Sequence, residues 1–428
     1  MVYMEKEAAM QKLKNSLPLQ IIVALILGII AGLIFLAAGI PEWPGTYIKF
    51  IGTIFLNLLK FVVVPMVLTS IISGVVSMED IKKVGSVGIK TVIYYLCTTA
   101  IAIIIGLIYA MLMKGSYMTL STSDLEYEAT TTTWQDTVIN IFPSNLIQPM
   151  AESTMLQIIV IALFIGFGII IAGEKGKMVK DLNESLLEVF MVVMRGIIKM
   201  TPIAVFCLIC PVVAENGPEI LGSLALVLLT AYLGYFTHAF VTYSLAVKTL
   251  GNMSPGKFLK GALPAFIFAF SSTSSIATLP VTMECAENLG CRKDVSSFSL
   301  PLGATINMDG TAIYQGVCAV FIATCYGINL TGGQIITIVL TATLASIGTA
   351  GTPGAGMVML AMVLQSVGLP VEGIALVAGI DRLFDMGRTG INVVGDLSAA
   401  CVVTNMANKK DAKTGVKTEL PDMTDEVQ

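Results

Sequence analysis

The chain has a single histidine, two tryptophans and few charges: Asp, Glu, Lys and Arg make up only 13% of 428 residues. Soluble globular proteins carry about 25%, so a water-facing surface all round is excluded. The formal charge of −4 leaves no basic face, and no nucleic-acid partner is expected. Eight cysteines, at 97, 207, 210, 285, 291, 318, 325 and 401, lie mostly inside apolar segments. Cys207 and Cys210 form a C-x-x-C in the string F-C-L-I-C. No second ligand pair accompanies them, so neither a zinc site nor a redox motif is expected. With no cluster of nitrogen and sulfur ligands and no nucleophile–base pair, the sequence does not read as an enzyme. His238 follows Tyr235 and Phe236 in an apolar helix and reads as a packed or hydrogen-bonded imidazole.

What is abundant is apolar sequence. Hydrophobic residues make up 55% and the mean hydropathy is +0.84. Apolar runs of about 18 residues or more recur, which predicts an all-α polytopic membrane protein. Candidate spans are 18–38, 47–75, 88–113, 154–172, 186–213, 221–247, 296–326 and 371–404. Two further stretches, 256–290 and 331–366, are apolar with a polar or glycine-rich centre. The mixed-charge N-terminal residues lead into an apolar span without a small-residue cleavage site, and so read as the approach to a first transmembrane helix. Residues 115–150, with Thr130 to Thr133 in a row, read as an exposed loop, and the charged segment after Ala407 as a disordered tail.

Orientation follows from the basic residues of the short loops. Lys6, Lys12 and Lys14; Lys82, Lys83 and Lys90; Lys175, Lys177 and Lys180; Lys248, Lys257 and Lys260; Arg292 and Lys293; and Lys409, Lys410 and Lys413 fall in one set. They alternate correctly if both termini are cytoplasmic and each broken stretch enters and leaves on the same side. The expected architecture is therefore eight transmembrane helices plus two re-entrant hairpins, 256–290 opening from the cytoplasm and 331–366 from outside.

The stretch with the most chemistry is D-R-L-F-D-M-G-R-T-G-I-N-V-V-G-D, residues 381–396. On a helix, taking Asp385 as origin, Arg388 falls at about 300°, Asn392 at about 340°, Asp396 at about 20°, Thr389 at about 40°, Asp381 at about 320° and Arg382 at about 60°. The ionisable groups occupy an arc of about 120°. Each Asp or Arg at the centre of a membrane helix costs roughly 2.5–3.5 kcal/mol, and five cost on the order of 12–18 kcal/mol. That face must line a polar interior site. A plain salt bridge between helices would need two charges, not five.

Three other polar breaks accompany it. The first hairpin tip reads F-A-F-S-S-T-S-S-I-A-T-L-P and the second A-S-I-G-T-A-G-T-P-G-A-G. Non-helical backbone at membrane depth is tolerated only against protein or water, and exposed helix ends there attract ions. Tight helix packing at small residues is the alternative for the second tip. Between them, S-F-S-L-P-L-G-A-T-I-N-M-D-G-T-A-I-Y-Q-G places Asn307, Asp309 and Gly310 midway along an apolar span. The helix is expected to unwind there and present oxygen ligands of the kind hard cations take. Ser274 precedes Asn307 by about as many residues as Gly351 precedes Asp385, so the two halves repeat.

The motifs S-S-T-S-S-I-A-T-L-P, N-M-D-G-T-A-I-Y-Q-G, S-I-G-T-A-G-T-P-G-A-G and D-M-G-R-T-G-I-N-V-V-G-D, in this order, resemble the signatures of the glutamate/aspartate transporter family, the cation-coupled dicarboxylate and amino acid symporters. The resemblance covers nearly all of residues 15–405. It implies inverted repeats, a homotrimer in the cell membrane and an elevator motion. Residues 1–87 and the helices within 115–220 would form the scaffold. Residues 88–114 and 221–407 would form the transport domain, with 331–366 as outer gate and 408–428 as a cytoplasmic tail.

It also implies roles residue by residue. Arg388 would bind the substrate's side-chain carboxylate and Asp385 its ammonium, with Ser274, Ser275, Thr311, Thr352, Gly356, Thr389 and Asn392 completing the pocket. One sodium site would use Gly303, Asn307, Asn392 and Asp396; a second Thr305, Ser346, Ile347 and Thr349; a third Tyr95, Thr98, Thr99, Asn307 and Asp309. Tyr95, Thr98 and Thr99 share one helical face, which by itself reads as core packing. Two departures stand out. Thr273 replaces an arginine that archaeal members carry in the first tip, making Arg382 the candidate for that charge. Gln315 replaces a glutamate linked in animal members to proton and potassium coupling. The implied function is sodium-coupled symport of acidic amino acids; a dicarboxylate or cystine symporter and an ion channel are the alternatives.

Overall fold

Helix length separates the elements that can cross a bilayer from those that cannot. A hydrocarbon core of about 30 Å takes about 20 helical residues. The computed structural model describes residues 17–84, 86–119, 139, 142–152, 154–346 and 355–414, and among these helix is the regular secondary structure, with no strand. α1 (Leu17–Ala37), α2 (Lys49–Val84) and α3 (Ser86–Met113) are long enough to cross. So is α7 (Glu219–Thr237), which continues through a π turn (His238–Tyr243) into Ser244–Thr249.

The expected span at 186–213 is not one helix. α4 (Met155–Ala172) is followed by α5 (Lys177–Ile198), the chain turns at Lys199 and Met200, and α6 (Thr201–Asn216) begins again with Pro202 in its first turn. Proline lacks the N–H that an uninterrupted helix would need, but fits a first turn. α5 buries Asn183, Met191, Met194 and Ile197 on one side, and Asn183 Nδ2 donates to Thr69 O of α2 at 3.0 Å. α6 packs along α1.

Both broken stretches are pairs of short helices. α8 (Pro255–Ser272) and α9 (Ser275–Asn288) pack on each other. Thr273 ends α8 in a left-handed conformation, φ 53°, and the Ser274 side chain caps α9 by accepting from Ala277 N at 3.2 Å. α9 has 14 residues, about 21 Å, too short to cross. α12 (Gly332–Ala345) and α13 (Ala355–Ser366) pair in the same way. Their connecting tip lies outside the described residues.

The expected unwinding is present. α10 (Lys293–Ile306) and α11 (Asp309–Cys325) are separated at Asn307 and Met308, which leave helical geometry at ψ 94° and 44°. The last helix differs from expectation at both ends. Short turns at Val371–Gly373 and Ile374–Ala378 precede it, and α14 runs from Asp381 to Thr414. Residues 408–414, expected in a disordered tail, thus continue the helix. Of the expected loop at 115–150, Lys114–Ser116 forms a 3-10 turn and Gln148–Glu152 a short helix; Thr130 to Thr133 lie outside the described residues.

Burial identifies the centre. Of the most apolar 18 residues within Lys293–Cys325 and within Asp381–Ala412, 100% and 89% are buried, against 18–44% for the corresponding stretches of the other apolar helices of spanning length. Those other helices turn large apolar side chains such as Ile34, Phe61, Leu112 and Phe164 outward, as a lipid-facing surface requires. α10, α11 and α14 form the interior, with α3, α7, α8 and α9 packed around them.

Candidate substrate and cation site

α14 places its charges along the inner face at i, i+3, i+4 and i+7 spacing. Arg388 Nε donates to Asp385 Oδ1 at 2.9 Å, and Nη1 donates to Asp381 Oδ1 at 3.0 Å. Arg382 Nη1 lies 3.5 Å from the other oxygen of Asp385. Thr389 Oγ1 donates to Asp385 Oδ1 at 3.4 Å. The guanidinium carbon of Arg388 sits 4.8 Å from the ring centroid of Tyr314 on α11, a cation–π distance. Two glycines make room for this side chain and its backbone. A Cβ on Gly356 of α13 would meet the Arg388 guanidinium, and a Cβ on Gly310 would meet the Arg388 backbone.

One turn further along, Asn392 joins α14 to the unwound segment. Its Oδ1 accepts from Gly310 N at 2.8 Å, and its Nδ2 approaches Met308 Sδ at 3.2 Å and Thr311 Oγ1 at 3.5 Å. Asn307 Nδ2 donates to Asn392 O at 2.8 Å and Asp396 Oδ1 at 2.9 Å. Gly303 faces the same spot, since a Cβ there would meet Asp396 Oδ1 and the Tyr95 hydroxyl. Asn307 Oδ1 is buried and meets no donor among the described residues. An acceptor in that condition fits a cation better than a proton donor that is not there.

A third cluster surrounds Asp309, the first residue of α11. Oδ1 accepts from Thr99 Oγ1 at 2.6 Å. Oδ2 accepts from Tyr243 OH at 2.8 Å and lies 3.0 Å from His238 Nε2. His238 and Tyr243 are five residues apart, about 140° apart on an α-helix. The π turn between them, with its i→i+5 bonding, lets both reach one carboxylate oxygen. Tyr95 OH donates to Ser299 O at 2.9 Å and Thr98 Oγ1 to Tyr95 O at 3.1 Å.

Asp381, Asp385, Arg388, Thr389, Asn392, Thr311 and Gly356 thus form one cluster; Gly303, Asn307, Asp396 and Tyr95 an adjoining one; Thr99 and Asp309 a third. Ser275 is buried at the start of α9, which packs against α14. Ser346 is buried and donates to Thr343 O at 2.7 Å, whereas Thr305 is exposed and donates to Leu302 O at 2.9 Å. Ile347, Thr349 and Thr352 lie outside the described residues. Sequence reasoning put Asp381 on the polar face of the last helix but gave it no contact with substrate or cation, and gave Tyr314, His238 and Tyr243 no place in the site. Asp381 carried a signal in its helical phase; the others contact it only through tertiary packing.

Among the described residues, four buried carboxylates (Asp309, Asp381, Asp385, Asp396) face two guanidiniums (Arg382, Arg388), a formal excess of two negative charges with His238 counted neutral. Uncompensated charge there is costly, so the arrangement suits positive ions.

The model of the sodium:dicarboxylate symporter family matches residues 17–406. The chain is 37% identical over 412 residues to the proton/sodium-glutamate symport protein of Geobacillus stearothermophilus, covering 94% of this chain and 97% of that protein. It is 34% identical to the proton/glutamate-aspartate symporter of Escherichia coli (strain K12), covering 96% and 97%. It is 32% identical to the C4-dicarboxylate transport protein of Bacillus subtilis (strain 168), covering 95% and 97%.

Proposed function

The chain belongs to the sodium:dicarboxylate symporter family, and on that premise we propose that it is a multi-pass membrane transporter coupling the uptake of acidic amino acids, aspartate or glutamate, to sodium. The observation that carries this reading is the pairing of Arg388 with Asp385 at 2.9 Å. A guanidinium beside a carboxylate complements a solute that bears a carboxylate beside an ammonium. On binding, the ammonium takes Asp385 and the side-chain carboxylate takes the Arg388 fork, whose planar geometry suits bidentate pairing. Asp381 still holds Nη1, so the guanidinium stays oriented during the exchange. The formal negative charge of Asp309 and Asp396, with Asn307 Oδ1 buried and without a donor among the described residues, supports sodium binding alongside. Each net positive charge moved inward gains about 2.3 kcal/mol per 100 mV, enough for co-transported cations to concentrate an anion.

In this reading Ser274, Ser275, Thr311, Thr352, Gly356, Asp385, Arg388, Thr389 and Asn392 contact the amino acid. The three sodium sites use the residues named above for each. The chain works as a homotrimer with both termini in the cytoplasm. α1, α2 and α4–α6 form a scaffold past which the remaining helices carry the site, elevator-fashion. A plain dicarboxylate is the competing cargo, since one relative is named for C4-dicarboxylates. Asp385, which such a solute would leave facing a second carboxylate, favours the amino acid. Uptake of labelled aspartate into proteoliposomes by wild type and Arg388→Cys separates the cases. The variant is expected to lose acidic substrates and to admit neutral ones; unchanged aspartate uptake, or competition by succinate as strong as by glutamate, contradicts the proposal.

A further inference from the structure

The turn from α9 to α10 carries a thiol that the site does not use. Cys291 Sγ lies 3.5 Å from Cys401 Sγ on α14, across 110 residues of sequence. The turn is fixed to α14 at successive points on one face. Arg292 N donates to Thr404 Oγ1 at 3.1 Å, and Arg292 Nη1 donates to Asn408 Oδ1 at 3.4 Å and to Asp411 Oδ2 at 2.5 Å. Cys401, Thr404, Asn408 and Asp411 follow the i, i+3, i+7, i+10 stripe of a single helix face. The thiol contact is therefore built into a rigid corner. Cys291 is half-buried between the exposed Gly290 and Lys293, while Cys401 is 3% exposed. A reachable thiol beside a sheltered one is the arrangement of an attacking and a resolving cysteine.

We propose that Cys291 and Cys401 are a reversible thiol–disulfide pair that low-molecular-weight disulfides oxidise, stapling the α9–α10 turn to α14. The Cys291 thiolate attacks one sulfur of the external disulfide, forms a mixed disulfide and expels one thiolate. The Cys401 thiolate then attacks the Cys291 sulfur and expels the second. Two protein thiols are oxidised, one external disulfide is reduced to two thiols, and the two protons pass to the leaving thiolates. Bringing the sulfurs from 3.5 Å to a bond of about 2.05 Å takes side-chain rotation and a small approach of the turn. In a reducing compartment the pair rests as thiols, so oxidation reports a change in redox poise.

The test uses the purified full-length protein, wild type, Cys291→Ser and Cys401→Ser, equilibrated with glutathione and its disulfide at varied ratios. Tryptic mass mapping follows the thiols and a melting curve follows stability. Wild type is expected to give a peptide linking Cys291 to Cys401, with no glutathione retained at either, and a melting temperature raised by ~5 °C, both reversed by dithiothreitol. Cys401→Ser should trap glutathione on Cys291, and Cys291→Ser should leave Cys401 unmodified; Cys401→Ala replaces the serine variant if that one does not fold. No linked peptide at any ratio, an unmodified Cys291 in the Cys401 variants, or a linked protein with an unchanged melting temperature overturns the proposal.

Discussion

Arg388 Nη1 donates to Asp381 Oδ1 at 3.0 Å, from two helical turns further along α14. Asp381 is 5% exposed and Arg388 2%, so the bond holds a charge that has no solvent to fall back on. Removing one partner of a buried pair costs about 3–5 kcal/mol, largely as the penalty on the charge left behind. Asp381→Asn is expected to lower the melting temperature and to raise the KM for aspartate at least about tenfold, because the guanidinium loses its orientation. Aspartate uptake kinetics alongside a melting curve check both; wild-type values for each would show that Asp381 does not hold Arg388.

Gly356 tests the same guanidinium from the opposite side. A Cβ there would fall on the Arg388 side chain, whereas one on Gly222 would meet nothing within 4 Å. Gly356→Ala is expected to raise the KM for acidic substrates by on the order of tenfold, and Gly222→Ala to leave it unchanged. Equal effects from the two would place Arg388 away from substrate.

The cation clusters give a separable phenotype. Asp396→Asn removes a negative charge and one of two carboxylate oxygens, and Asn307→Ala removes the amide oxygen and the 2.9 Å bond between the two residues. Both variants are expected to need several-fold more sodium for half-maximal uptake, with a smaller change in aspartate affinity at saturating sodium. Sodium titration of uptake checks this; an unshifted sodium dependence in both variants would remove that cluster from the cation path.

At the exposed start of α10, ahead of the apolar run that begins at residue 296, Arg292 holds the Asp294 carboxyl below its ordinary value, chiefly through its hydrogen bonds. A carboxylate depressed in the folded state contributes stability that is present above its unfolded value of about 3.9 and is lost as pH falls through the folded value. The advantage of wild type over Asp294→Asn is therefore expected to be fully present near neutral pH and to shrink as pH falls below about 3.9 toward the depressed folded value. Asp294 is 59% exposed, so the difference is expected to be small, within a few degrees of melting temperature. A gap between the two proteins that widens on acidification would contradict the ion pair.

The interior helices were legible in the sequence because their polar residues carry a cost. Asp381, Asp385, Arg388, Asn392 and Asp396 share a helical face, and that phase alone required an inward orientation. The break at Asn307 and Met308 was legible for the same reason. The turn at Lys199 and Met200 was not, since apolar sequence continues on both sides and only Pro202 marks it. Nor was the Asp309 cage. His238 and Tyr243 are 71 and 66 residues away, and a π turn, which a regular periodicity of 3.6 misplaces, is what aims them. Within the α14 charge group, phase put Asp381 and Arg388 about 20° apart without saying that they bond. The two arginines and two aspartates there could be paired in several ways.

Labelled aspartate uptake into proteoliposomes, with an inward sodium gradient and with sodium equal on both sides, tests the account most directly. Accumulation above equilibrium with the gradient, collapsing without it and absent in Arg388→Cys, is the predicted result. Aspartate that merely equilibrates, at a rate independent of sodium, would contradict it.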